Sequence, residues 1–175
     1  MIPSLRAWTL DRDQRRRAAS YVATLFVEPD DTDVEWLSEN GADCDTDHAR
    51  WELRYARRAL GLLAAQRDAL DDRTASLVAT ELARSLGNDP AVAPGKIRMA
   101  ERQLNARLSA YGDALGNREG EGSGWHLGRA LLDFAGHRDA ARPDVVAHAG
   151  DLLARYLAEA NDALRKLFGA ATLPG

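Results

Sequence analysis

Cysteine occurs once in the 175 residues, at Cys44, so no disulfide can form within the chain. A lone thiol fits a reducing compartment, and a cytoplasmic location is expected. Its neighbours Asp43 and Asp45 disfavour the thiolate, which removes Cys44 as a nucleophile. Long apolar runs are missing as well. The longest, Ala59 to Ala65, falls far short of the roughly 20 residues that cross a bilayer. Met1 to Leu10 leads directly into Asp11, Arg12 and Asp13, so no secretion leader is expected and no membrane partner. Nor is there an excess of positive charge: the net charge is -4 and the pI is near 5.6, which disfavours general binding to nucleic acid.

Strand signals are scarce. Tyr21, Val22, Phe26 and Val27, and the pair Val145 and Val146, look locally β-like, but each sits inside a longer stretch of helical period. What the sequence does contain is apolar residues returning every three or four positions in one segment after another. The fold expected is all-α, a single-domain bundle over 1–175 of five or six helices, with the second helix central.

The first helix is expected from Asp11 to Val27, with Ala18, Tyr21, Val22 and Leu25 inward, ended by Pro29. Residues 28–47 then form an acidic connector with nine carboxylates and no Lys or Arg, in which Val34, Trp36 and Leu37 are expected to make one helical turn before Asn40-Gly41. A second helix follows to Arg67, capped by Asp45 or Thr46. Its apolar residues fill two adjoining stripes, Leu53, Ala56, Leu60 and Leu63 beside Trp51, Tyr55, Ala59 and Leu62, a width that suits a helix packed on several neighbours.

Asp71 or Asp72 caps the third helix, which runs to Gly87, and Ile97 to Gly116 forms the fourth, with Leu104, Tyr111 and Leu115 inward. Residues 117–124 are read as a flexible glycine-rich loop and Ser123 as the cap of a short fifth helix, Trp125 to Ala135. Pro143 opens the sixth helix and Gly169 stops it; Val145, Ala149, Leu152 and Tyr156 face inward, opposite a stripe of Asp144, His148, Asp151, Arg155, Glu159 and Asp162.

Motifs that carry chemistry are few. Asp45, His48 and Glu52 share the start of the second helix and could contribute to a metal site, but a helix start rich in acids for electrostatic reasons is the simpler reading. Asp144, His148 and Asp151 resemble a base with orienting carboxylates, yet they belong to a solvated stripe. His126 and His137 flank the fifth helix as isolated histidines. The Pro94-Gly95-Lys96 run lacks the spacing of a phosphate-cradling loop, so no cofactor is expected.

Charge segregation is the strongest remaining signal. Arg12, Arg15, Arg16 and Arg17 form one cluster and Arg50, Arg54, Arg57 and Arg58 another, with the acidic connector between them. Either the arginines grip a partner's carboxylates or phosphates, gated by the connector, or the connector folds back on them as an ordinary surface ion network. Trp36 either docks the connector on the bundle or stands exposed as a contact for a partner.

These features point to a non-enzymatic helical interaction protein, of an assembly or chaperone-like kind, whose partner is another protein or a second copy. Its expected contact residues are Arg15, Arg16, Trp36, Arg50, Arg54, Arg57 and Arg58. The alternative is a small-ligand binder or enzyme with a pocket between helices, lined by Trp51, Tyr55, Tyr111 or Trp125. The former follows from the absence of a converging acid, base and nucleophile set beside abundant helix surface.

Overall fold

The computed structural model describes residues 5–41, 45–67, 71–117, 120–137 and 142–169, with side chains from Asp11 onward. Cys44, the chain end beyond Gly169 and part of the glycine-rich stretch lie outside them. The described residues form seven α-helices and no strand: α1 Leu5–Leu25, α2 Asp31–Asn40, α3 Thr46–Arg67, α4 Asp72–Gly87, α5 Ile97–Gly116, α6 Ser123–Phe134 and α7 Pro143–Phe168. A 3-10 turn over Pro94–Lys96 leads into α5.

Two expectations are corrected here. The acidic connector is not a coil with one turn but carries the ten-residue helix α2, which raises the helix count to seven. Its acids explain why it forms: Asp31 and Asp33 lie in the first turn, where the positive end of the helix dipole favours them. Val34 and Leu37, three apart, give it a buried edge. The first helix also begins six residues earlier than periodicity suggested and ends at Leu25.

Two of the expected caps hold and that of Ser123 does not. Asp71 accepts from the Thr74 amide at 2.8 Å, and Asp45 accepts from the amides of Asp47 and His48 at 3.0 and 3.1 Å. For α6 the cap position falls on Gly122, with no side-chain hydrogen bond, and Ser123 is already helical.

The helix α3 touches each of the other six, most extensively α7 and α5. Leu53, Ala56, Ala59 and Leu60 are wholly buried along it, and each such leucine contributes about 1.5–3 kcal/mol by leaving water. On one side α1 crosses close to its backbone: the Tyr21 hydroxyl donates to the Gly61 carbonyl at 2.7 Å.

The most intimate helix pair is α6 with α7. A methyl group on Gly128 would lie 2.8 Å from the Gly150 nitrogen and closer still to the Val146 carbonyl oxygen; one on Gly150 would run into the Gly124 carbonyl. Main chain meets main chain there, which requires glycine on both sides.

Candidate functional site

The two arginine clusters meet different fates. On α3, Arg54 grips Glu28 through Nε and Nη2, at 3.1 and 2.8 Å to Oε2, and its guanidinium also lies 4.6 Å from the Trp51 ring centroid. Arg50 donates to Asp31 at 2.9 Å. Arg57 donates to Glu159 of α7 at 2.6 Å and covers the Tyr156 ring at 4.1 Å. A fourth guanidinium, Arg155 of α7, takes Asp33, and that hydrogen bond raises its pKa further above the usual arginine value. The acidic connector therefore lies on arginines of this same chain.

Arg58 is not on that face at all. It is only 2% exposed, stacks over Phe26 at 4.0 Å and donates to Asp89 at 2.7 Å, with Nε and Nη1 lacking any hydrogen-bond partner. Burial draws its pKa down, and the Asp89 carboxylate opposes that pull. The expectation of Arg58 as a surface contact is corrected by this burial.

Trp36 is half-buried and stacks on His148 with ring centroids 4.2 Å apart, joining α2 to α7. On α1, Arg15 pairs with Asp11 at 3.0 Å, and Asp11 also takes Arg73 of α4, which together hold its carboxyl below the usual carboxylate range. Of the seven expected contact residues, Arg16 alone has no partner among the described residues. Its neighbours Arg12 and Arg17 are likewise exposed and unpaired.

A second charged group was not anticipated. Glu52 of α3 receives Arg107 of α5 through Nη2 at 2.6 Å and Nε at 3.0 Å, with both side chains under 8% exposed. The remaining nitrogen of Arg107 donates to the carbonyl and side-chain oxygens of Gln103. The rings of Phe134 and Tyr55 lie 4.0 and 5.3 Å from its guanidinium. Burial, reinforced by the Glu52 charge, pushes the neighbouring Tyr111 phenol far up, and its hydroxyl has no partner.

The sequence did hold a sign of this pair. Arg107 stands in the apolar stripe of α5, three residues after Leu104 and four before Tyr111, and a cation in such a stripe requires an internal anion.

His48 closes the outer edge of the group. Its Nε2 lies 3.2 Å from the Phe134 carbonyl and 3.4 Å from Glu52 Oε1, two acceptors that place the proton on Nε2. His137 Nδ1 sits 2.8 Å from the Asn40 carbonyl and so donates there. These two contacts fasten the end of α6 to α2 and α3. Asp45 is spent on the helix cap, and the described residues contain no group of three or more His, Cys, Asp or Glu arranged to hold a metal ion.

Chemically, the Glu52–Arg107 unit is saturated: the carboxylate accepts from Arg107 twice and faces His48, while the guanidinium is shared among Glu52 and Gln103. It locks α3 to α5. On α1, Arg12, Arg16 and Arg17 are exposed without an ion pair among the described residues, as are Arg98 and Arg102 on α5. Among the described residues no helix is long and apolar enough to cross a membrane. No family model matches the chain, and neither a curated protein nor a solved structure is detectably similar to it.

Proposed function

We propose that the chain is a non-enzymatic interaction protein of the assembly or chaperone-like kind, a single unit organised about α3 and working in the reducing cytoplasm. It docks an acidic protein surface through the uncovered arginine face of α1. The observation that carries this reading is the contrast between the two clusters. Arg50, Arg54, Arg57 and Arg58 are each matched by a carboxylate of the same chain, whereas Arg12, Arg16 and Arg17 are exposed and form no ion pair among the described residues. Unmatched guanidinia on a rigid helix are ready for bidentate contact with carboxylates, and several acting together steer encounter as well as hold it.

The test is fluorescence anisotropy with a labelled polyglutamate peptide as the acidic probe, across a salt series. Wild type is expected to bind at low salt, and Arg12→Glu/Arg16→Glu/Arg17→Glu to bind at least about tenfold more weakly, with Arg50→Gln/Arg54→Gln close to wild type. Equal binding by the α1 variant, or none by wild type, overturns the proposal. Tighter binding of a DNA or RNA duplex than of the peptide moves the face to nucleic acid instead.

The small-ligand alternative retains one support, the unpartnered Tyr111 hydroxyl beside the Glu52–Arg107 pair. A metabolite screen that raises the melting temperature in wild type but not in Tyr111→Phe would favour it.

A further inference from the structure

The free arginines of α1 have a counterpart on the chain itself. Along α2, Asp31, Glu35 and Glu39 follow at four-residue intervals, and all three are exposed. Asp31 is taken by Arg50, whereas Glu35 and Glu39 have no cationic partner among the described residues. Along α1, Arg12 and Arg16 are also four apart, exposed and unpaired. A four-residue step advances about 6 Å along either helix, so the two lines have the same spacing and opposite sign.

They do not meet within one molecule: among the described residues no ion pair joins α1 to α2. In the turn between the two helices stands Val27, 56% exposed, one of two large hydrophobic residues left open to solvent among the described residues. An apolar side chain thus sits, in chain order, between a basic line and an acidic one.

We propose that the occupant of the α1 face is a second copy of this chain. The α1 helix of each copy lies along α2 of the other, with Arg12 and Arg16 against Glu35 and Glu39, about a two-fold axis passing near Val27. Every copy carries both lines, so the contact is self-complementary and closes as a dimer. Reciprocity doubles the ion pairs to four. That matters because a single exposed pair contributes little, while several acting together with an apolar contact give measurable, salt-sensitive association. The inference rests on the reading of α1 as a docking face and names what docks there.

Sedimentation equilibrium on the full chain tests it. Wild type is expected to dimerise at low salt and to dissociate as salt rises, with the dimer constant weakened at least about tenfold. Glu35→Lys/Glu39→Lys and Arg12→Glu/Arg16→Glu are each expected to be monomeric, since each then carries two lines of one sign. Mixed in equal amounts, the two variants are expected to pair with each other, a recovery that misfolding would not give.

A wild type that stays monomeric, a dimer indifferent to salt and to both variants, or a mixture that fails to associate overturns the inference. If self-association fails while the polyglutamate peptide still binds through α1, the broader reading stands and only the identity of the occupant falls. Failure of both removes both.

Discussion

The carboxylate of Glu52 on α3 holds the guanidinium of Arg107 on α5 at two points, 2.6 and 3.0 Å, in a part of the molecule where both side chains are almost wholly out of water. A pair of this kind differs from those on the surface, because neither charge can fall back on solvent if the other is removed.

Glu52→Leu alone is therefore expected to destabilise the protein by about 3–5 kcal/mol, since it leaves Arg107 buried and uncompensated. The double change Glu52→Leu/Arg107→Met is expected to recover most of that loss. Urea unfolding of wild type, both single variants and the double variant measures the coupling directly. A single-variant cost under about 1 kcal/mol would show the pair to be dispensable.

Helix α2 is expected to be held by its apolar edge rather than by its ions. Leu37→Ala should cost about 2–5 kcal/mol, because Leu37 is completely buried. Glu28→Gln and Asp31→Asn should each cost no more than about 1 kcal/mol, since both acids are more than half exposed. The reverse ranking in thermal or chemical unfolding would mean that the arginines of α3, not the core, keep α2 in place. It would also make release of α2 by competing acids feasible.

Gly128→Ala is expected to be among the most disruptive small substitutions in the chain. The added methyl would meet the backbone of α7 at Val146 and Gly150, which has no flexible end to move aside. Gly87→Ala is the control: nothing lies within 4 Å of its added methyl, and it is expected to be neutral or stabilising by up to about 1 kcal/mol. The melting temperature of Gly128→Ala should fall well below that of wild type, and that of Gly87→Ala should equal or exceed it.

Alkaline titration should expose the buried phenols. Burial pushes the pKa of Tyr156 up to about 12 and those of Tyr111 and Tyr55 upward as well, so all three favour the neutral form in the folded state. Their contribution to stability is complete below the unfolded value of about 10 and is lost as pH rises above it. Absorbance near 295 nm is expected to show Tyr111 ionising only together with unfolding followed by circular dichroism. Ionisation of all the tyrosines at their ordinary pKa without loss of helix would contradict the buried placement.

The helices α3 to α7 are legible from a 3.6-residue apolar period, joined in three of them by a terminal signal: Asp45 for α3, Asp71 for α4, and Pro143 with Gly169 for α7. Helix α2 is not, because its apolar content is small and its carboxylates read as a solvated connector. Only the interval from Val34 to Leu37 and the acids of its first turn hinted otherwise.

Charge pairing was less legible than helix position. The sequence shows that Arg54 and Glu28 carry opposite charges but not that they meet, and Asp89, the partner of Arg58, comes from a loop 31 residues further on. Arg107 in an apolar stripe was a readable signal for a buried ion pair. Its partner Glu52, at helical spacing from His48, has in sequence the look of a metal ligand rather than of a counter-charge.

The crossing of α6 and α7 at Gly128 and Gly150 has a mechanical consequence. Where two backbones touch, their separation is set by van der Waals contact of main-chain atoms and not by the rotamers of intervening side chains, so it does not drift when neighbouring residues are exchanged. These two helices then behave as a single stiff bracket, and amide hydrogen exchange along them should rise and fall in step.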